Sequence, residues 1–157
     1  MSGKQVLRQM AVKLVCIWLV CLATLAYACD KDIKQRLLKM QQQWTLQNTS
    51  SYSYEIKKQC FCSPDYTKEM LVHVVDNVVT EAHYLDNSRK VPDEVEDNLL
   101  TITEWFDEIS AAIDNESGSV TVTYDHESGY PVNISIDRHT QRSDDEFNVV
   151  ISNVIKQ

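Results

Sequence analysis

The stretch that decides the fold is residues 44–62, WTLQNTSSYSYEIKKQCFC. Leading into it, Ile33, Leu37, Met40 and Trp44 recur at spacings of four, three and four, with Lys34, Gln35, Gln41 and Gln42 on the remaining arc. That period draws one apolar stripe along a helix and predicts a helix over residues 30–47. Asp30 and Asp32 suit the positive end of its dipole. The polar run Asn48-Thr49-Ser50-Ser51 breaks the pattern, and from Tyr52 the period becomes two. Tyr52, Tyr54, Ile56, Lys58, Cys60 and Cys62 then fall on one side of a strand, with Ser53, Glu55, Lys57, Gln59 and Phe61 on the other.

Downstream the same alternation of signals repeats. Pro64 and Asp65 mark a turn, and Met70 to Val75 and Val78 to Leu85 form a hairpin across Asp76-Asn77, a pair that accepts positive φ. Asp86 to Asn98 reads as a surface loop. Thr101 and Glu104 have capping-box spacing, and Ile102, Phe106, Ile109 and Ile113 repeat the helical stripe up to Gly118. Val120 to Tyr124 and Val132 to Ile136 form a second hairpin around His126-Glu127-Ser128-Gly129, and Phe147 to Ile155 supplies a last strand. The expected fold is α+β in the order α-βββ-α-βββ, with two helices packed on one face of an antiparallel sheet of about six strands. The two halves could descend from a duplication, although no residue motif repeats between them.

Upstream lies a different kind of segment. Lys4, Arg8 and Lys13 precede the uncharged, apolar run Leu14 to Ala28, which has the layout of a signal peptide and is followed at once by Asp30-Lys31-Asp32. At 15 residues the run falls short of the roughly 20 needed for a spanning helix, so an uncleaved anchor is the lesser alternative. Ala26-Tyr27-Ala28 places a cut before Cys29, dividing the chain into a signal peptide, residues 1–28, and one α+β domain, residues 29–157. Leu25-Ala26-Tyr27-Ala28-Cys29 also resembles a bacterial lipobox, in which the cysteine thiol receives diacylglycerol. Tyr27 departs from the small residue usual there, and plain secretion is the alternative to lipidation of Cys29. Several acyl chains would anchor firmly, since each buried methylene contributes about 0.8 kcal/mol.

Removing residues 1–28 leaves 12 basic and 23 acidic residues, a net charge of −11. Such a domain makes nucleic acid an unlikely partner and is repelled by anionic headgroups, so membrane proximity would come from the lipid. Asp144-Asp145-Glu146 offers carboxylates, but no stretch has the ligand spacing of a calcium loop. Cys16 and Cys21 leave with the signal. If Cys29 is lipidated, Cys60 and Cys62 remain as an even pair in an oxidising compartment.

Cys60-Phe61-Cys62 is the most unusual local motif. On an extended strand the two Cα atoms would stand about 6.6 Å apart, at the upper edge for a disulfide, so the chain must bend there for the sulfurs to join. A structural disulfide, a redox-active pair and Cu(I) binding through both sulfurs are the readings, together with pairing of one of them to Cys29. A metal would want a third donor. Pairing Val75 with Val78 sets His73 against Thr80 and Met70 against His83, which predicts that the two histidines lie on opposite faces. His126 and His139 read as a loop and a strand-end residue. No nucleophile elbow, zinc-protease motif or phosphate-binding loop is present, so no catalytic residue and no cofactor are expected. Trp44 and Trp105 read as core residues.

Trp44, Tyr52-x-Tyr54, Gln59-Cys60-Phe61-Cys62, the helix around Ile102 to Ile113, Val122-Thr123-Tyr124-Asp125, Gly129-Tyr130-Pro131 and Ile134-x-Ile136-Asp137 together resemble a bacterial domain of unknown function, number 6174. The resemblance covers most of the chain after residue 28. It implies an exported or lipid-anchored bacterial protein, and carries no activity, substrate or catalytic residue. Two function classes are therefore expected. One is a non-enzymatic module that binds an envelope protein or component through the sheet face without helices. The alternative is a thiol redox or copper-handling protein using Cys60 and Cys62.

Overall fold

The computed structural model describes residues 32–115, 118–138 and 146–157. The chain divides into two compact units, Met1–Arg36 and Leu37–Gln157. Of the first unit only residues 32–36 are described, as the opening of helix α1, which spans residues 32–46. There follow β1 (Tyr52–Cys60), α2 (Pro64–Thr67), β2 (Met70–Val75), β3 (Val78–Tyr84), α3 (Asp93–Glu96), α4 (Ile102–Asp114), β4 (Ser119–Tyr124), β5 (Pro131–Asp137) and β6 (Glu146–Lys156).

The strands form one antiparallel sheet in the order β3-β2-β1-β6-β5-β4, as expected of an α+β fold. The first and last strands pair at its centre, so the two three-stranded meanders are joined only by β1 and β6. Alternation then sorts the side chains. Tyr52, Tyr54, Ile56, Met70, Val72, Val74, Ala82, Tyr84, Ile134, Ile136, Val149 and Ile151 are all buried, and the register sets them against one another across the strands on one face.

That face is where the helices lie. Trp44 of α1 packs edge-on against Tyr52 and Tyr130, with ring centroids 5.3 and 6.3 Å apart. In α4, Ile102, Trp105, Phe106, Ile109 and Ala112 are buried, and Phe106 stacks on Tyr124 of β4. Tyr84 Oη donates to the carbonyl of Asp65 in α2, and Val95 of α3 joins the same core. Among the described residues four helices thus share one side of the sheet, two more than the periodicity predicts. Four residues each is too short for α2 and α3 to show a helical period. The segment read as a surface loop, residues 86–98, instead buries Val91 and Val95 and covers the β3 edge. Its acidic residues, which favour the loop reading, lie on a segment anchored by two valines, and one of them, Glu96, accepts from the Ala82 N–H of β3.

Candidate interaction face and the Cys60–Cys62 bend

On the side away from the helices no described element covers the sheet, and its side chains fall in rows across the strands. Glu81, His73, Ser53 and Ile155 form one row, and His83, Leu71, Glu55 and Ser152 the next. Lys57, Val150 and Asn133 form a third. Ile155 is 62% exposed and Val150 38%, while Ser53, hemmed in by its neighbours, is buried.

Two bulges decide what these rows contain. Between β1 and β6 the register shifts from Ser53↔Ile155 to Glu55↔Ser152, so Asn153 and Val154 together stand opposite one residue. Asn153 takes φ 51°, a left-handed conformation that asparagine tolerates. Strict alternation would place Ile155 on the buried face with Ile151. The bulge turns it outward, and Asn153 Nδ2 donates to Glu55 Oε2 at 2.7 Å beside it.

The second bulge corrects the expectation for the histidines. Val75 does pair with Val78 across Asp76 and Asn77, whose φ values of 51° and 61° make the predicted two-residue turn. The register then slips between His73 and Val74, so His73 faces Glu81 and His83 faces Leu71. His73 and His83 therefore lie on the same, open face, not on opposite ones, because one extra residue on β3 reverses the parity of everything beyond it. His83 Nε2 approaches Glu81 Oε1 at 3.4 Å.

At the far end of β1 the strand stops at Cys60 and the chain bends before Pro64 opens α2. The bend brings the Cα atoms of Cys60 and Cys62 to 5.3 Å and their sulfurs into a disulfide. Phe61 between them is 88% exposed, the most exposed large apolar side chain described. Nearby, on the helix side, the Lys58 ammonium lies 5.3 Å from the Phe147 ring, and Arg138, ion-paired with Glu108, lies 5.8 Å from it. Burial pulls the Lys58 pKa down, opposed by Glu108 and reinforced by Arg138.

Trp44 and Trp105 are core residues, as their stripes predict. Trp105 Nε1 makes no well-formed hydrogen bond among the described residues, although it approaches Tyr54 Oη closely enough to oppose the rise in that phenol's pKa. A cleft of about 530 Å3 lies where the end of α1, the β2–β3 turn and the start of α4 meet, lined by Trp44, Asn48, Ser50, Asn77, Thr101 and Glu104 among others. Glu104, its sole ionisable lining residue, is already engaged in capping α4. Among the described residues no three of His, Cys, Asp and Glu are placed to hold a metal ion. Cys29, His139, Asp144 and Asp145 lie outside the described residues; Glu146 begins β6 and His126 sits in the β4–β5 turn.

A family model described as "Family of unknown function (DUF6174)" matches residues 36–156. Comparison with curated proteins and comparison with solved structures each gave no match.

Proposed function

We propose, for a chain that belongs to the DUF6174 family and takes no activity from it, a non-enzymatic binding role in the cell envelope. In this reading residues 1–28 direct export, Cys29 carries a lipid, and an envelope protein or other envelope component docks on the bare sheet face. The observation that carries it is the one-sided sheet: four helices cover one face, while the other presents Ile155 and Val150 among Ser53, Glu55, His73 and Glu81. A contact surface needs apolar groups that gain from leaving water and polar groups that set orientation, and this face supplies both. The acidic balance makes the lipid, and not surface charge, the means of staying near a membrane.

Two measurements test the reading. The intact mass of protein taken from membranes should show loss of residues 1–28 and acylation of Cys29; an unmodified cysteine, or a retained leader, would overturn the anchoring. Photocrosslinkers placed at Ile155 and Val150 should capture one discrete envelope partner, whereas probes at Leu38 and Leu46 should not. Equal capture from both sets, or none from the sheet, would remove the sheet face as the contact.

A second reading assigns thiol exchange or copper handling to Cys60 and Cys62. It is favoured by their position at the exposed end of β1, where a partner thiolate can reach the sulfurs. Thiol titration separates it from the first: a disulfide inert to exchange, with no copper bound after reduction, leaves the pair structural.

A further inference from the structure

The two edges of the sheet are treated differently. At β3 the outer backbone groups are engaged: Tyr84 N–H donates to Arg89 O at 2.9 Å, Val91 N–H to Ala82 O at 3.0 Å, and Ala82 N–H to Glu96 Oε2 at 3.0 Å. The inward side chains there, Ala82 and Tyr84, are fully buried beneath Val91 and Val95. At β4 none of this is present among the described residues. Among the described residues, 119–123 pair only with β5, and no hydrogen bond reaches their outer edge. Val120 and Val122 turn toward the core yet are only partly buried, so the core is closed more fully at the β3 edge than at the β4 edge.

An open edge of this kind is ordinarily blunted by charge, proline or a bulge. Ser119-Val120-Thr121-Val122-Thr123 has no charge and no proline, and its register shift comes only after Thr123. In a chain of net charge −8, an uncharged strand of β-branched residues at an open edge is a surface built for pairing.

We propose that β4 is a self-pairing edge, where a second copy of this chain adds its own β4 antiparallel to make one continuous sheet. The sequence is self-complementary about Thr121. A two-fold axis there sets Thr121 against Thr121 of the second copy, Val120 against Val122, and Ser119 against Thr123. Valines meet valines on the helix side and hydroxyls meet hydroxyls on the bare side. The bare face then runs uninterrupted across both copies. Six residues a side fall short of the roughly 1,200 Å2 of a standard stable interface, so the dimer is weak and reversible. Its subunits repel through their acidic surfaces, so added salt tightens it.

The test uses the full chain. Thr121→Cys places a thiol on the two-fold axis, and a short thiol-to-thiol crosslinker should convert it to covalent dimer well above the level set by the native cysteines. Thr123→Cys faces Ser119 of the second copy and should stay at that background level. Sedimentation should show a monomer–dimer equilibrium that strengthens with salt. Thr121→Glu, which sets two like charges against each other on the two-fold axis at the bare side and leaves the core valines in place, should weaken it several-fold. Dimer formation from both cysteine variants alike, a dimer untouched by Thr121→Glu, an open-ended oligomer ladder, or a monomer at every concentration would each overturn the proposal. None of these outcomes bears on the sheet-face partner, which is read by the Ile155 and Val150 probes.

Discussion

Gly129 shows how much a single position can carry. It takes φ 84°, and a Cβ added there would lie 2.6 Å from the Met40 carbonyl oxygen and 3.0 Å from Gln43 Cβ. The sequence places a hairpin turn at His126-Glu127-Ser128-Gly129, and the turn is there, with Asp125 Oδ1 accepting from the N–H groups of Glu127 and Ser128. The sequence has no signal for the second constraint, the seating of α1 directly on that turn. Gly129→Ala should therefore lower stability by about 2 kcal/mol or more, left-handed strain and helix displacement adding, as a denaturant midpoint shift would report. Tyr52 and Tyr54 give a second prediction at this scale. Burial pushes the Tyr52 phenol from 10.0 up to about 12, and Tyr54 higher still. Both are protonated when folded, and the unfolded phenols ionise first. Their contribution is whole below pH 10, and for Tyr52 it is lost as pH rises from 10 through about 12. Tyrosinate absorbance should show these two groups titrating late, together with alkaline unfolding, and Tyr52→Phe should flatten the stability loss above pH 10.

Among the elements, α4 was the most legible. Its capping box forms as the spacing predicts: Thr101 N–H donates to Glu104 Oε2 at 2.7 Å, and Glu104 N–H donates to Thr101 Oγ1 at 3.2 Å. What could not be read is that the sheet adds a cap of its own, since Ile102 N–H donates to Tyr52 Oη at 2.8 Å across fifty residues of sequence. Thr101→Ala should cost about 1 kcal/mol in an unfolding measurement. Helical content should fall little, because the stripe of Ile102, Phe106 and Ile109 still holds the helix to the sheet. The edge elements were the least legible. α2 and α3 are single turns, and the bulges at Thr80 and Asn153 leave only a faint mark in sequence. That mark is a residue tolerant of positive φ at Asn153 and nothing distinctive at Thr80.

For the whole molecule, the joining of β1 to β6 is what makes one sheet from two meanders. A chain ending before Glu146 should lose the seam and fail to fold, giving no cooperative unfolding transition by circular dichroism, although α4 and the β4–β5 hairpin remain encoded. The same topology bears on duplication. The two meanders repeat the same lateral order, 3-2-1 then 6-5-4, with strand directions reversed. A rotation that reverses strand direction while keeping that order also exchanges the faces of the sheet. It would place α4 opposite α1, yet both meet Tyr52 on one face. The halves are thus not related by a rotation, in keeping with the absence of a shared motif.

Local periodicity by itself determined the six strands, helices α1 and α4, the turn at Asp76-Asn77, the capped start of α4 and the inward face of each strand up to its bulge, because those depend on interactions between residues a few positions apart. The sequence-long comparison of first strand with last, the companions of His73 and Ile155 on the bare face, and the contrast between a closed β3 edge and an open β4 edge were decided only by tertiary structure. Each depends on register between distant segments. A bulge of one residue, neutral in local propensity, moves every side chain beyond it to the other face of the sheet.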